Sequence, residues 1–359
     1  MANKITGSTD TSGALTVIPN IPKSVLVVAR VAGSTTTSVE PKKIFQIYGT
    51  ADAIASFGAD SIAPKIVKVL IANGVDNIKG IIVPEAPKAP KAPESSVEDT
   101  TYKDSLEVSM LDKTIKCIIT DSDDARVIAA VKDHLIVAES NDMFRYSVFG
   151  TTKTTQAELA QFAKTVDSNR IFIVAPQMLI GTENAHQQIC AAGLTAAIMV
   201  ETSDPALPMN GVNIKGFSGV GILMLSAEMD ALVKAGVTPI YDEDMTPAIW
   251  RLVTSAQNDQ VWQEGSTRFI ADYVLESVEN MLRKNYKRTK NVTRVLNAIR
   301  DDVNLTLQTL NELEIIENFD ESTVTVSKDP ADRYGALIDY EFDVVTPLYT
   351  ITINQHLKL

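Results

Sequence analysis

The chain is poor in the side chains that most enzymes and metalloproteins use for their chemistry. Its 359 residues include only two cysteines and three histidines. Both cysteines lie in apolar runs without a CxxC partner, as is typical of buried free thiols, and the histidines lack a metal-ligand spacing such as HExxH. These residues are Cys117, Cys190, His134, His186 and His356. The sequence therefore predicts no metal, no cofactor and no catalytic residues.

Segments that direct a protein into a membrane or onto nucleic acid are also missing. No run approaches the roughly 18 apolar residues of a membrane span, and the N-terminal region has no basic start followed by an apolar core. A net charge of -12 argues against a nucleic-acid partner, because phosphate binding needs a basic face. We expect a protein made in a reducing cytoplasm, with no membrane and no nucleic acid among its partners.

Three short motifs could hold a phosphate or a cation, and each has an ordinary structural explanation. The glycine-rich Gly216 to Gly221 has the wrong spacing for a dinucleotide or P-loop fingerprint, and we interpret it as a turn. The acidic Asp121 to Asp124 precedes a predicted helix, where such residues cap the first turn. Asp242 to Asp244 is interpreted as a solvated acidic turn. An α/β enzyme or ligand-binding protein with an unrecognised site remains the alternative.

The main positive feature of the chain is the alternation of short apolar runs with helical patterns, which is typical of parallel βαβ units in an α/β domain. Predicted strands are Lys23 to Gly33, Asn77 to Pro84, Lys113 to Thr120, Phe144 to Phe149, Arg170 to Ala175, Val237 to Tyr241, Ala248 to Ser255 and Thr323 to Ser327. Predicted helices are Ser61 to Asn73, Asp124 to Leu135, Thr155 to Val166, Asn184 to Val200, Glu228 to Ala235, Arg268 to Asn285 and Val292 to Leu313.

The C-terminal stretch from Tyr349 to Leu359 alternates strictly between apolar and polar residues, which predicts a strand buried on one face. No turn follows it, so the sequence supplies no hairpin partner. The strand either closes the sheet of its own domain or adds to a sheet edge of a neighbouring molecule. A second β-prone patch, Ala14 to Ile18, lies in the polar N-terminal segment and could pair in the same way.

Five bases lie within eight residues at the junction of the two long predicted helices, in a chain that is otherwise acidic. They are Arg283, Lys284, Lys287, Arg288 and Lys290, called here the basic segment. The segment is either a solvated junction or a surface that faces an acidic partner, where complementary charge sets orientation and association rate.

The order of several degenerate motifs resembles that of the tail sheath proteins of contractile phage tails and tail-like bacteriocins, including the R-type and the diffocin-like, compact type of Gram-positive hosts. The resemblance covers nearly the whole chain. Its motifs are Lys43 to Gly58, Ser203 to Leu207, Leu232 to Ile240, Ile249 to Ser255, Arg268 to Leu282, the helix to Leu313 and the closing alternating strand.

The resemblance implies a two-domain α/β (α+β) fold: an outer α/β domain inserted into an inner α+β domain built from the N- and C-terminal parts, with extended terminal arms. The implied segments are an N-terminal arm (1–22), the first part of the inner domain (23–84), a proline-rich linker (85–93), the outer domain (94–200), the second part of the inner domain (201–343) and a C-terminal arm (344–359).

The resemblance also implies a structural role in a sheath that polymerises around a tail tube and contracts, with a static shell protein as an alternative. Its partners would be further copies of itself, the tube protein, and baseplate and terminator proteins, in a particle assembled in the bacterial cytoplasm and released by lysis. The basic segment would face the tube. The strands exchanged between subunits would use Leu15, Val17, Ile18, Tyr349, Ile351, Ile353 and Leu357.

Overall fold

The computed structural model describes residues 23–32, 37, 39–84, 100–257 and 259–349. These residues form two compact units. The larger unit comprises the described residues up to Arg268 together with 347–349, and the smaller unit comprises Phe269–Thr346. The predicted arm residues Leu15, Val17, Ile18, Ile351, Ile353 and Leu357, and the predicted linker 85–93, lie outside the described residues.

The strands and helices of the described residues follow in chain order. The strands are β1 (Ser24–Arg30), β2 (Ile44–Ile47), β3 (Ile78–Val83), β4 (Ile115–Thr120), β5 (Tyr146–Gly150), β6 (Ile171–Ala175), β7 (Leu179–Ile180), β8 (Glu183–Asn184), β9 (Thr238–Glu243), β10 (Thr246–Ile249), β11 (Ile316–Glu317), β12 (Thr325–Lys328), β13 (Ala336–Asp339) and β14 (Asp343–Val344). The α-helices are α1 (Thr50–Phe57), α2 (Ala63–Ala72), α3 (Thr100–Ser109), α4 (Ala125–Glu139), α5 (Gln156–Val166), α6 (Gln187–Glu201), α7 (Ser226–Lys234), α8 (Gln260–Gln263), α9 (Gly265–Asn285) and α10 (Thr293–Glu312).

The larger unit is built around an eight-stranded sheet with the order β10-β9-β6-β5-β4-β1-β3-β2. Its six inner strands run parallel, and β2 and β10 pair antiparallel at the two edges. Helices α3, α4, α5 and α7 share one apolar core with the sheet, while α2 and α6 pack together beside β1 and β5. The predicted α/β class is therefore confirmed, and most residues of the inner strands are apolar and buried because helices cover them.

Most predicted elements are present within a few residues of the expected bounds, but one was too long and several observed elements, among them β2, α1 and α3, were not predicted. Helix α3 was not predicted, because its buried face includes Ser105 and Ser109 and so lacks an apolar period. The predicted strand from Ala248 to Ser255 was too long. Regular pairing ends at Ile249, and beyond it only Val253 and Thr254 form isolated bridges.

The compact units have different boundaries from the predicted inner and outer domains. Strands β1 and β3, expected in the inner domain, pair in parallel with each other, and β1 also pairs with β4 of the expected outer domain. The single sheet continues into β9 and β10, beyond the predicted boundary at residue 200. The reason is that the proline-rich stretch lies in the chain between β3 and β4, two strands that flank β1 in the same sheet, and sequence composition does not reveal this.

The smaller unit contains the two long helices that the sequence predicts. Each of them buries one stripe of apolar residues at helical spacing. The unit also contains two short antiparallel pairs, β11 with β14 and β12 with β13. The buried stripes consist of Ile270, Val274, Val278 and Met281 on α9 and of Leu296, Ile299, Val303, Leu307 and Leu310 on α10.

Candidate functional site

Tyr349, the one residue predicted to take part in strand exchange that lies within the described part of the chain, contacts a pair of charged residues in the larger unit. Its hydroxyl donates a hydrogen bond of 2.7 Å to Oε1 of Glu264. The guanidinium carbon of Arg251 lies 4.3 Å from the centre of its ring, within the range of a cation–π contact. Burial and the nearby Glu264 carboxylate raise the pKa of Tyr349 above its ordinary value, so the phenol stays protonated and donates.

The partners of Tyr349 also bind each other. Arg251 donates from Nη2 and Nε to Oε2 of Glu264, at 2.7 and 3.0 Å. The Glu264 side chain is only 13% exposed, so this charge-assisted pair is weakly screened by solvent. We call the cluster of Arg251, Glu264 and Tyr349 the Tyr349 anchor.

The basic segment lies in the smaller unit, at the end of α9 and in the turn before α10. All five bases are exposed. Arg283 bonds Glu279 one turn earlier, at 3.0 Å. Among the residues that the structure describes, Lys284, Lys287, Arg288 and Lys290 form no ion pair.

The turn that carries the basic segment is fixed by hydrogen bonds to α10. The hydroxyl of Tyr286 donates to Oδ2 of Asp302 at 2.7 Å, and the Asn285 amide donates to the same oxygen at 3.1 Å. Burial, together with the Asp302 carboxylate, raises the pKa of Tyr286 to about 12. The bases are therefore displayed on a defined turn of the smaller unit.

The acidic Asp121 to Asp124 motif follows β4, next to the end of β1, where the strand order of the parallel sheet reverses. Open α/β sheets bind ligands at such a position. Here the chain's own groups occupy Asp121: its carboxylate accepts the backbone N–H of Arg30 at 2.8 Å and the hydroxyl of Tyr102 at 2.5 Å. Asp124 caps α4 by accepting the N–H of Arg126 at 2.9 Å. The motif thus serves the fold, as the sequence suggested.

The other two motifs are turns as well. Between β9 and β10, Asp244 and Met245 have positive φ angles, and Oδ1 of Asp242 accepts the N–H of Met245 at 2.7 Å. The glycine-rich turn packs against the β7–β8 hairpin, and a Cβ on Gly221 would lie 2.2 Å from Oδ1 of Asn184. The glycine is there for close packing rather than for a phosphate.

A buried arginine network, which the sequence analysis did not identify, lies beneath α3 and α4. Arg145 is fully buried and donates to the carbonyls of Ser109 and Asp112, at 2.9 and 2.8 Å. Its Nη1 lies 2.9 Å from Nε2 of His134. Burial, and then the charge of Arg145, lowers the pKa of His134 to about 4, so His134 accepts the bond as a neutral ring.

A second fully buried arginine extends this network. Arg170 bonds Oε1 of Glu139 at 2.7 Å and the Arg145 carbonyl at 3.3 Å. Arg268 lies 3.5 Å from the same Glu139 oxygen. The buried cations are thus matched by carbonyls and one carboxylate, which suits a structural role because unpaired buried charge is costly.

Both cysteines are free and buried, and burial raises the pKa of each thiol to about 12. In the part of the chain that the structure describes, no group of three or more histidine, cysteine or acidic side chains could hold a metal ion. None of its helices combines the length and apolar character of a membrane span.

Comparison with known families accounts for most of the chain. Residues 96–255 match the phage tail sheath protein central domain, and residues 257–358 match the phage tail sheath C-terminal domain. No individually curated protein matches the chain.

Several solved sheath structures share the fold. The helical sheath of the anti-feeding prophage in its contracted state is 15% identical, with a TM-score of 0.72, covering 99% of this chain and 100% of that one. The sheath tail protein of Desulfitobacterium hafniense is 11% identical, with a TM-score of 0.69 and full coverage of both chains. That of Listeria innocua is 11% identical, with a TM-score of 0.67, covering 93% of this chain and 95% of that one.

The fold, a mostly parallel eight-stranded sheet that helices cover, defines an α/β protein. The two successive domain matches are more specific: the chain belongs to the phage tail sheath family, whose members are structural and not enzymatic. This confirms the family that the motif order suggested.

Proposed function

We propose that this protein is the repeating subunit of a contractile sheath. It polymerises as a helical array around a tail tube and contracts to drive the tube through the envelope of a target cell. The observation that carries the proposal is the pair of sheath-domain matches, which run almost without interruption from residue 96 to residue 358. The match in fold to the anti-feeding prophage sheath in its contracted state supports it.

Strand exchange through the terminal arms would hold the array together during contraction. Leu15, Val17 and Ile18 would pair in one arm, and Tyr349 would introduce the other, whose alternating side chains include Ile351, Ile353 and Leu357. Each main-chain hydrogen bond contributes only about 1 kcal/mol net. A row of them joins two subunits strongly enough to survive the rotation of the rigid units.

The exposed turn of the smaller unit that carries the basic segment would supply the tube contact. The bases at 283, 284, 287, 288 and 290 are exposed on a turn that Asp302 fixes. A charged, solvated surface has modest affinity and is screened by salt, so it orients the subunit and then releases. An apolar contact of the same area would resist sliding.

The assembled particle would be a phage tail or a diffocin-like bacteriocin of the compact type from Gram-positive hosts. Its further partners would be the baseplate and the protein that terminates the tail. Synthesis would take place in the bacterial cytoplasm, with release by lysis. Contraction would draw its free energy from larger contacts between neighbouring subunits and not from nucleotide hydrolysis.

Electron microscopy of the purified protein, alone and with its tube protein, tests the proposal. We expect hollow cylinders from the full-length chain and none from a chain that ends at Tyr349. A matched pair of variants separates strand pairing from a general effect of charge. Ile351→Asp with Ile353→Asp should abolish the cylinders, and Thr350→Asp with Thr352→Asp should weaken them less, because the strand alternates.

Urea unfolding of the same variants gives the necessary control. If the truncated chain unfolds with the same midpoint as the full-length chain but does not assemble, the arm acts between subunits. A truncated chain that is unfolded would show instead that the last strand belongs to its own core. Absence of cylinders from the full-length chain, even with the tube protein present, would contradict the sheath role.

A further inference from the structure

The Tyr349 anchor connects the predicted C-terminal arm to the larger unit of the same chain. We propose that Arg251 and Glu264 form a built-in receptor for Tyr349, which fixes the root of the arm on its own subunit, so that only residues after Tyr349 pass to a neighbour. This inference rests on the proposed sheath function. It revises the place of Tyr349 from an exchanged residue to a fixed one.

Main-chain hydrogen bonds that do not involve Tyr349 hold the two residues of the receptor in place. The segment after β10 runs alongside the segment that joins α8 and α9. The N–H of Thr254 donates to the carbonyl of Gln263 at 2.8 Å, and the N–H of Gly265 donates to that of Leu252 at 3.2 Å. A Cβ on Gly265 would lie 2.8 Å from Cγ of Leu252. Arg251 and Glu264 are therefore brought together by backbone pairing and not by the arm.

The receptor has one acceptor left for a phenol. Arg251 directs two donors at Oε2 of Glu264, while Oε1 accepts the Tyr349 hydroxyl. The ring of Tyr349 lies over the guanidinium that makes this pair. A tyrosine satisfies both features, because phenylalanine lacks the donor and other hydroxyl residues lack the ring.

The boundary between the two compact units falls just before Tyr349 in the chain, which agrees with an anchor at Tyr349. The residues up to Thr346 group with the smaller unit, whereas 347–349 group with the larger one. Leu348, directly before Tyr349, is 68% exposed, so the docking is specific to the tyrosine. With the root held here, an arm that starts at residue 350 would follow every rotation of the larger unit.

Cysteine crosslinking tests where the root lies. Leu348→Cys and Val261→Cys place thiols at two exposed positions, one residue before Tyr349 and three residues before Glu264, and leave the three anchor residues unchanged. A flexible bismaleimide should link them within one chain, while Cys117 and Cys190 are buried. The double variant is compared with a mixture of the two single variants, in which only a link between chains can form.

The expected result is an intrachain link in the isolated subunit and in assembled cylinders, with no linked dimer from the mixture of single variants. Linked dimers from assembled mixtures would overturn the proposal, because they would show that residue 348 docks on a neighbour. A double variant without an intrachain link in the isolated subunit would overturn it as well. If no cylinders form, the sheath function fails, and the result for the isolated subunit still decides the anchor.

A matched pair of single-atom deletions measures the contribution of the hydroxyl. Tyr349→Phe should slow intrachain crosslinking about three- to tenfold, as expected for the loss of one charge-assisted hydrogen bond. The control is Tyr334→Phe, at a tyrosine that is 84% exposed and lies in the smaller unit. Equal crosslinking rates for the two variants would show that Tyr349 does not hold the root.

Discussion

The two units of this sheath protein differ in where their arginine and lysine clusters lie. In the larger unit, Arg145 and Arg170 are fully buried and bonded to carbonyls and to Glu139. In the smaller unit, the bases of the turn after α9 face solvent. Buried, bonded charge makes a body rigid, whereas exposed charge leaves a surface available for a partner. The larger unit thus contains a buried and bonded pair of arginines, whereas the smaller unit carries an exposed cluster of bases.

The largest effect on the free energy of unfolding should come from replacing a buried arginine, compared with the same replacement of an exposed one. Arg145→Met leaves the carbonyls of Ser109 and Asp112 without their donor, so the free energy of unfolding should fall by about 3–4 kcal/mol. Arg288→Met, the matched change in the exposed turn, should alter it by less than about 0.5 kcal/mol. Urea unfolding monitored by circular dichroism measures both. Similar losses of unfolding free energy in the two variants would contradict the distinction between the buried and the exposed arginine.

Acid should weaken the larger unit through His134. Its pKa is lowered from 6.5 to about 4 by burial and by Arg145, so between these values the unfolded chain binds the extra proton. Stability from this residue is complete above pH 6.5 and is lost as the pH falls towards 4, by about 2–3 kcal/mol in total. Unfolding midpoints across this range measure it.

His134→Gln serves as the control for the acid effect, because it keeps an acceptor for Arg145 and removes the titrating ring. This variant should show a flatter dependence of stability on pH between 6.5 and 4. If the wild-type protein and the variant had the same slope, His134 would not be the group responsible. The exposed bases of the smaller unit should contribute little to the difference in pH dependence between the wild-type protein and this variant.

The smallest effect on stability should come from the basic segment. Lys287→Glu with Arg288→Glu should change the free energy of unfolding by less than about 0.5 kcal/mol. The same variant should lose most of its binding to the tube protein in low salt. Co-sedimentation at two salt concentrations measures this, with Lys65→Glu and Lys68→Glu on an exposed face of α2 as the matched charge control. Equal binding by both double variants would remove the basic segment from the tube contact.

Local patterns predicted the elements of the fold well. The apolar run that became β6 is buried at every position, and those that became β1 and β4 are buried at all positions but one each, because helices cover the sheet. The stripes of α9 and α10 follow helical spacing and are buried as expected. Helix α3 was missed because serines on its buried face bond nearby carbonyls and so are tolerated inside. Such serines resemble surface residues in a sequence.

The domain boundaries and the candidate contacts were less accessible from sequence. Proline content suggested a boundary near residue 90, yet β3 and β4 flank β1 in one sheet. The alternating pattern did identify Tyr349 as the start of a predicted strand. It carried no signal for the partner Glu264, which lies 85 residues away in the chain.

The sequence by itself determined the α/β class, the two long amphipathic helices and the exposed cluster of bases, because hydrophobic period and charge act locally. The tertiary structure alone decided the strand order, the burial of Arg145 beside His134, and the docking of Tyr349 on Arg251 and Glu264. These features depend on how distant elements pack together, and many packings are compatible with the same local pattern. Burial then favours the packing in which most buried charged and polar groups find a partner.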